Sequence, residues 1–265
     1  MTRNRYLLPA LNTIGLLVML TLNGLANAIP INGMTTGAVS DKYDNLFVPA
    51  GLTFSIWGLI YLLLTAFVVY QWKVARGNSK PNAFVEKVGA WFFVSCLANA
   101  AWIVAWHYEL LPLSVLLMLV LLACLLSIYL RLGVGLTAVT RGERYFVHLP
   151  FSVYLGWITI ATIANVSALL VSVHWNTLGL GEQFWAVAVI AVGIGIALAM
   201  AFRRGDVYFC LVVDWALAGI LLKRVLDTTT PDTAVMAAAM AGIVLISAAI
   251  FVLVALRHVY RPVVS

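Results

Sequence analysis

Residues 110–130 and 145–181 contain no Asp, Glu, Lys or Arg. Runs of that length without a charge match the thickness of a bilayer's hydrocarbon when coiled as helices, about 20 residues per crossing. Composition extends the point to the whole chain: 63% of the 265 residues are hydrophobic, only 10% are charged, and the mean hydropathy is +1.02. A water-soluble domain carries about a quarter charged residues, so most of this chain is solvated by lipid. The expected architecture is all-α, a polytopic membrane bundle of about eight transmembrane helices. The segments are 6–29, 49–72, 88–106, 110–132, 146–173, 184–202, 207–222 and 234–256, the seventh being short.

The basic residues orient those segments. With eight crossings, all of the 16 Lys and Arg residues except Lys42, Lys223 and Arg224 fall on one side, in the gaps between apolar runs and at the two ends. The positive-inside rule then predicts a multi-pass protein of the plasma or inner membrane with both termini cytoplasmic. The +6 net charge is therefore spent on anchoring and orientation and implies no nucleic-acid partner. Arg3 and Arg5 followed by an apolar run and Ala26-Asn27-Ala28 imitate a cleavable signal peptide. The run is longer than a signal core and Pro30 follows the would-be cut, so the segment is read as a retained helix. The outward gap 30–48 is rich in Gly and Thr yet holds Tyr43 and Phe47, which predicts a loop folded back over the bundle end.

Several side chains are costly in lipid, and their spacing is informative. Phe54, Trp57, Tyr61 and Thr65 recur at three and four residues, one face of a helix. Ser95, Asn99, Trp102 and Trp106 repeat the device, as do Tyr154, Trp157, Ala161 and Asn165. Asn12, Asn23 and Asn27 share a face of the first segment. One explanation is packing: amides tie membrane helices together by hydrogen bonds of about 1 kcal/mol each, and Trp and Tyr gather at interfaces. The other is a cavity whose ring faces stack on a flat hydrophobe while a few amides fix its orientation.

Asp214 is the only carboxylate deep in an apolar run. It must be protonated, bonded to a group such as Ser247, or wetted, and it is the candidate for a proton relay. His148, beside Pro150, reads as interfacial. Cys96, Cys124 and Cys210 fall in separate runs without ligand spacing, so no metal site and no disulfide framework is expected. No Lys lies in a span to form a retinal Schiff base, and no catalytic motif or voltage-sensor spacing occurs. Small residues four apart, Gly193/Ala197/Ala201, Ala191/Gly195/Ala199 and Ala238/Gly242, indicate close helix packing, with a homodimer as the alternative.

Three stretches, Tyr43-Asp44-Asn45-Leu46 leading into Phe54-Ser55-Ile56-Trp57-Gly58-Leu59-Ile60-Tyr61, then Leu97-Ala98-Asn99-Ala100-Ala101-Trp102, then Tyr154-Leu155-Gly156-Trp157 through Ala164-Asn165, resemble the TspO/MBR family of tryptophan-rich sensory or translocator proteins. The likeness covers about residues 6–175. It implies a five-helix ligand-binding bundle over 1–175, capped by the loop between helices one and two. Residues 176–265 would then be an additional three-helix segment of a divergent relative. It further implies a porphyrin, haem or sterol-like ligand, with Trp57, Tyr61, Asn99, Trp102, Trp157, Ala161 and Asn165 in the cavity wall; Phe54 and Tyr154 join them from the stripes. The chain departs from the family in its loop, which reads Phe47-Val48-Pro49-Ala50-Gly51 without a Trp, and in lacking a sterol-recognition pattern after the fifth helix. The expected function is binding of a tetrapyrrole- or lipid-like small molecule for sensing or transport, with no catalytic residues. The alternatives are a proton-coupled secondary transporter using Asp214 and an enzyme acting on a membrane-soluble pigment or lipid, for which no nucleophile or metal set is found.

Overall fold

A computed structural model describes residues 5–77, 83–227 and 232–256. Arg3, Lys80, Arg257 and Arg261, used above for orientation, lie outside them. The chain forms eight principal helices: α1 (Leu7–Ala28), α2 (Ile56–Arg76), α3 (Trp91–His107), α4 (Leu111–Leu132), α5 (Leu149–Ser172), α6 (Glu182–Arg204), α7 (Val207–Leu226) and α8 (Thr233–Ala255). Short helices Thr36–Lys42 and Ala83–Val88 lie in the connections, and no strand occurs among the described residues. Among the described residues six helical stretches are long and apolar enough to cross a membrane, and α3 is a shorter apolar helix. This is an all-α polytopic membrane bundle.

Two boundaries differ from the sequence reading for stated reasons. The second segment does not begin at Pro49: the chain stays irregular there, tightens into a 3₁₀ turn at Gly51–Ser55, and becomes α-helical only at Ile56. Ahead of α5, Pro150 has no N–H to give, and the backbone widens into a π-helical turn over Arg144–His148.

Packing skips α2, whose backbone lies against α1 and α5 and not against α3. α3 lies against α1 and α4, α4 against α5, and α7 lies across α5 while α6 and α8 pack on α7. Glycines set the close crossings. A Cβ on Gly15 of α1 would come 2.9 Å from the Phe93 ring of α3. A Cβ on Gly219 of α7 would overlap the Thr53 side chain, so only Gly lets α7 lie on the Gly51–Ser55 turn, where the Ala50 N–H donates to the Gly219 carbonyl at 2.9 Å. Of the small-residue rows, Gly193/Ala197/Ala201 is buried against the bundle, whereas Ala191/Gly195/Ala199 faces outward.

At the end away from the loop the bundle is solid. Phe67, Phe92 and Phe151 are each fully buried with ring centroids 5.0–5.8 Å apart. Nearby, Asp206 caps α7 through the Phe209 N–H at 3.1 Å and accepts from the hydroxyls of Tyr129 on α4 and Ser152 on α5. This buried carboxylate, joining three helices, was not singled out from sequence. It sits between two apolar runs and looks there like an ordinary helix cap.

Candidate functional site: an aromatic chamber beneath a pinned loop

The stripes do converge. Trp57 of α2 stacks on Tyr61 at 5.6 Å and meets Trp102 of α3 at 6.0 Å, Tyr154 of α5 at 6.1 Å and Trp157 at 6.2 Å. Phe54 stands edge-on to Trp157 at 6.0 Å. Beside these rings is a small cavity of about 40 Å³. Its wall includes Phe54, Trp57, Trp102, Trp157, Ala161 and Asn165, six of the nine expected ligand-binding residues. Tyr61 opens instead onto a groove of about 470 Å³ that also takes in Asn27, Thr36, Phe54 and Trp57. Thr65, the last residue of the opening stripe, is exposed and bonds back to the Tyr61 carbonyl.

Asn99 and Tyr154 belong to a buried polar bridge below the chamber. The Asn23 amide donates to Asn99 Oδ1 at 2.7 Å, and the Asn99 amide donates to the Tyr154 hydroxyl at 3.0 Å, joining α1, α3 and α5. Asn165 serves both readings. It accepts from Trp102 Nε1 at 2.9 Å, donates to Ser114 Oγ at 2.8 Å, and still faces the cavity. Trp157 is the exception among these polar groups: only 3% exposed, its indole N–H has no hydrogen-bond partner.

The loop expected to fold back forms the roof. Thr36, Ser40, Phe47 and Val48 line the cavity, and the Trp106 indole donates to the Thr36 carbonyl at 3.2 Å. Each residue of Tyr43-Asp44-Asn45-Leu46 has a task. Tyr43 donates to Glu109, which also binds Lys42 at 2.6 Å; Asp44 meets Lys223 at 3.0 Å, beside the Asp41–Lys223 pair at 2.8 Å. Asn45 accepts from the Phe47 N–H at 3.0 Å and so turns the Phe47 ring inward; Leu46 lines a lateral groove between α5 and α6. Lys42 and Tyr43 hold the Glu109 carboxyl below the usual carboxylate range, while burial and the neighbouring Glu109 push the Tyr43 phenol up to about 12. The three basic residues assigned to the outer side, Lys42, Lys223 and Arg224, all pair with acids at this end.

The remaining wall comes from the C-terminal helices. Ala216 and Ile220 of α7 face the cavity, and the Trp215 indole donates to the Thr53 carbonyl at 2.9 Å. The cavity is thus built from α2, α3, α5, α7 and the loop; α1, expected in its wall, contributes only to the adjoining groove through Asn27. Ala216 and Ile220 carried no signal in sequence, being ordinary apolar residues whose importance comes from where Gly219 lets α7 lie.

A family model described as TSPO-like protein matches residues 9–252. The chain belongs to the TSPO-like family. The match continues past residue 175 and takes in all eight helices, so α6 to α8 lie within the family's pattern. With six membrane-length helical stretches, this TSPO-like chain is an integral, multi-pass membrane protein. Comparison with curated proteins and with solved structures finds no match.

Haem suits the chamber poorly. Its wall contains no His, Cys or Met to bind iron axially. Among the described residues no cluster of three metal-ligating side chains occurs either. With the loop as it stands, about 40 Å³ lies far below the roughly 300–1,000 Å³ of small-molecule sites. Asp214 lies apart on the α8 side of α7, where Ser247 Oγ donates to its Oδ2 at 3.0 Å and its Oδ1 is buried without a partner.

Proposed function

We propose that this TSPO-like protein binds a metal-free hydrophobic small molecule, tetrapyrrole- or lipid-like, in the aromatic chamber, and that the loop 30–48 moves to admit it for sensing or transport. The observation that carries the reading is Trp157, a wall residue of the aromatic cavity whose buried indole N–H is unpartnered. A buried donor left unsatisfied costs about 1–3 kcal/mol, a cost that a ligand bearing an acceptor removes. The rings offer stacking faces, and Asn165 is already fixed by Trp102 and Ser114. The roof is held by ion pairs with solvent-exposed members, each worth about 0–1 kcal/mol, and by the buried side chains of Val39, Phe47 and Val48, so opening it uncovers apolar surface that a hydrophobic ligand would cover in their place.

In this reading the loop end faces outward and both termini are cytoplasmic, because only Lys42, Lys223 and Arg224 stand at the loop end while the other basic residues gather opposite. α7 is part of the binding unit, and through Ala216 and Ile220 it completes the chamber. The test is titration of detergent-purified protein with protoporphyrin while following Trp fluorescence. Saturable quenching that weakens in Trp57→Phe and Trp157→Phe is expected; no saturable quenching in the wild type overturns the tetrapyrrole version. Asp214, with its unpartnered Oδ1, favours a second reading, proton-coupled transport. That reading falls if Asp214→Asn leaves pH-dependent uptake unchanged.

A further inference from the structure

The basic residues at the end away from the loop are not equivalent. Arg131 donates to the Lys87 and Glu86 carbonyls at 2.8 and 3.4 Å, and Arg204 to the Val134 carbonyl at 3.0 Å. Lys73 and Arg76, in the last turn of α2, make no side-chain hydrogen bond and no ion pair among the described residues. The ion pairs of the described residues all lie at the loop end, so no acid stands within reach of these two cations.

They border a groove of about 500 Å³ lined by Val69, Trp72, Lys73 and Arg76. Tyr6, just ahead of α1, stacks on Trp72 with centroids 6.1 Å apart and planes 19° from parallel. The Arg76 guanidinium lies 5.6 Å from the Trp72 ring and the Arg5 guanidinium 5.0 Å from the Tyr6 ring, within cation–π range. Trp72 Nε1 donates to Thr13 Oγ1 at 2.8 Å, which ties the ring to α1, and Arg5 reaches across to the Gly77 carbonyl at 3.4 Å. A ring face orients a guanidinium without neutralising it, so Arg5, Lys73 and Arg76 hold three uncompensated charges at one corner of the bundle. Next to them the wall is bare hydrocarbon: Val69 is 64% exposed and Leu62, two turns deeper on the same face, 67%. Trp and Tyr at helix ends mark the depth of lipid headgroups. Ordered cations at that depth, above a wall facing acyl chains, fit a molecule that is anionic at one end and apolar along the rest.

We propose that this corner, between the start of α1 and the end of α2, is a binding site for a phospholipid with a net negative headgroup. The phosphate sits between Lys73 and Arg76, Arg5 adds its charge from the α1 side, and an acyl chain runs along Val69 toward Leu62. A zwitterionic phospholipid is disfavoured because it brings its own cation to the same place. The site is separate from the chamber and stands whether or not the chamber takes a ligand.

The experiment uses the full chain in phosphatidylcholine nanodiscs with a trace of either phosphatidylglycerol or phosphatidylcholine carrying a diazirine near the top of one acyl chain, adducts being mapped by mass spectrometry. On residues 62–76, phosphatidylglycerol adducts several-fold above the phosphatidylcholine ones are expected, the excess shrinking as NaCl is raised because exposed charges are screened. Excess unlabelled phosphatidylglycerol should remove it, and inorganic phosphate should not. In Lys73→Gln/Arg76→Gln the excess should disappear, while Arg203→Gln, an exposed base at the same end in the last turn of α6, should leave it unchanged. An unaltered phosphatidylcholine pattern in each variant reports that the fold is kept. Equal labelling by the two lipids, or an excess that survives the double substitution, overturns the site. Displacement by inorganic phosphate overturns the lipid as its occupant, and an equal loss in Arg203→Gln reduces the effect to attraction by the whole basic surface and overturns it too. If protoporphyrin fails to quench the wild type while this labelling persists, the chamber reading has failed and this site has not.

Discussion

The same three helices, α2, α3 and α5, make two aromatic clusters, one at each end of the bundle. At the end away from the loop, Phe67, Phe92 and Phe151 pack ring to ring with nothing exposed. At the loop end, Trp57, Trp102 and Trp157 pack at similar ring separations but leave a cavity and one buried N–H unmet. Centroid distances barely distinguish them. The polar handles do: a phenyl ring is satisfied by any apolar neighbour, whereas an indole N–H calls for an acceptor, which Trp102 finds in Asn165 and Trp157 lacks.

The sharpest way to break that contrast is Phe67→Ala. Loss of a fully buried ring should cost about 3–5 kcal/mol, seen as a lower unfolding midpoint in detergent, with protoporphyrin affinity in the remaining folded protein unchanged. A large change in affinity would mean that the two ends are not separate. Gly219→Ala comes next. Its methyl overlaps Thr53 and must push α7 from the Gly51–Ser55 turn, so a loss of about 1–3 kcal/mol is expected, this time together with altered binding because Ala216 and Ile220 shift with the helix. Wild-type binding would show that α7 is not a functional wall.

Trp157→Phe should invert the Phe67 result. It keeps the ring against Trp57 and removes a donor that has no partner, so stability should hold or rise slightly while affinity falls by about 1 kcal/mol, about fivefold. The smallest effect is the pH response of the roof. Glu109 has a depressed folded value, so its contribution is present above the ordinary carboxylate pKa, about 4.3, and is lost as pH falls through the folded value. Tyr43 is raised to about 12, so its contribution is present below the ordinary phenol value of about 10 and disappears as pH climbs between the two. Limited proteolysis of residues 30–48 should accelerate in both windows; in Glu109→Gln the acid-side acceleration should vanish.

Much of this was legible residue by residue. Trp57, Trp102 and Trp157 share a cavity because spacings of three and four put side chains on one helix face, and the cost of a bare indole or amide in lipid turns that face inward. Tyr43 and Phe47 betrayed a folded loop because a solvated linker has no use for aromatics. Other features were not readable. Asn99 and Asn165 look alike in sequence, yet one sits in a polar bridge outside the cavity wall and the other faces the cavity. The difference lies in which neighbour arrives opposite.

Local chemistry alone determined that this chain lives in lipid as helices, which faces look inward and which end carries a folded loop, because periodicity and transfer cost are properties of each segment by itself. The volume of the chamber, the part α7 plays in its wall, the buried Asp206 junction and the lateral groove between α5 and α6 were decided by the tertiary structure. Each depends on distances between helices remote in the chain, and those distances are set by single contacts such as Gly219 on Thr53 that no segment encodes on its own.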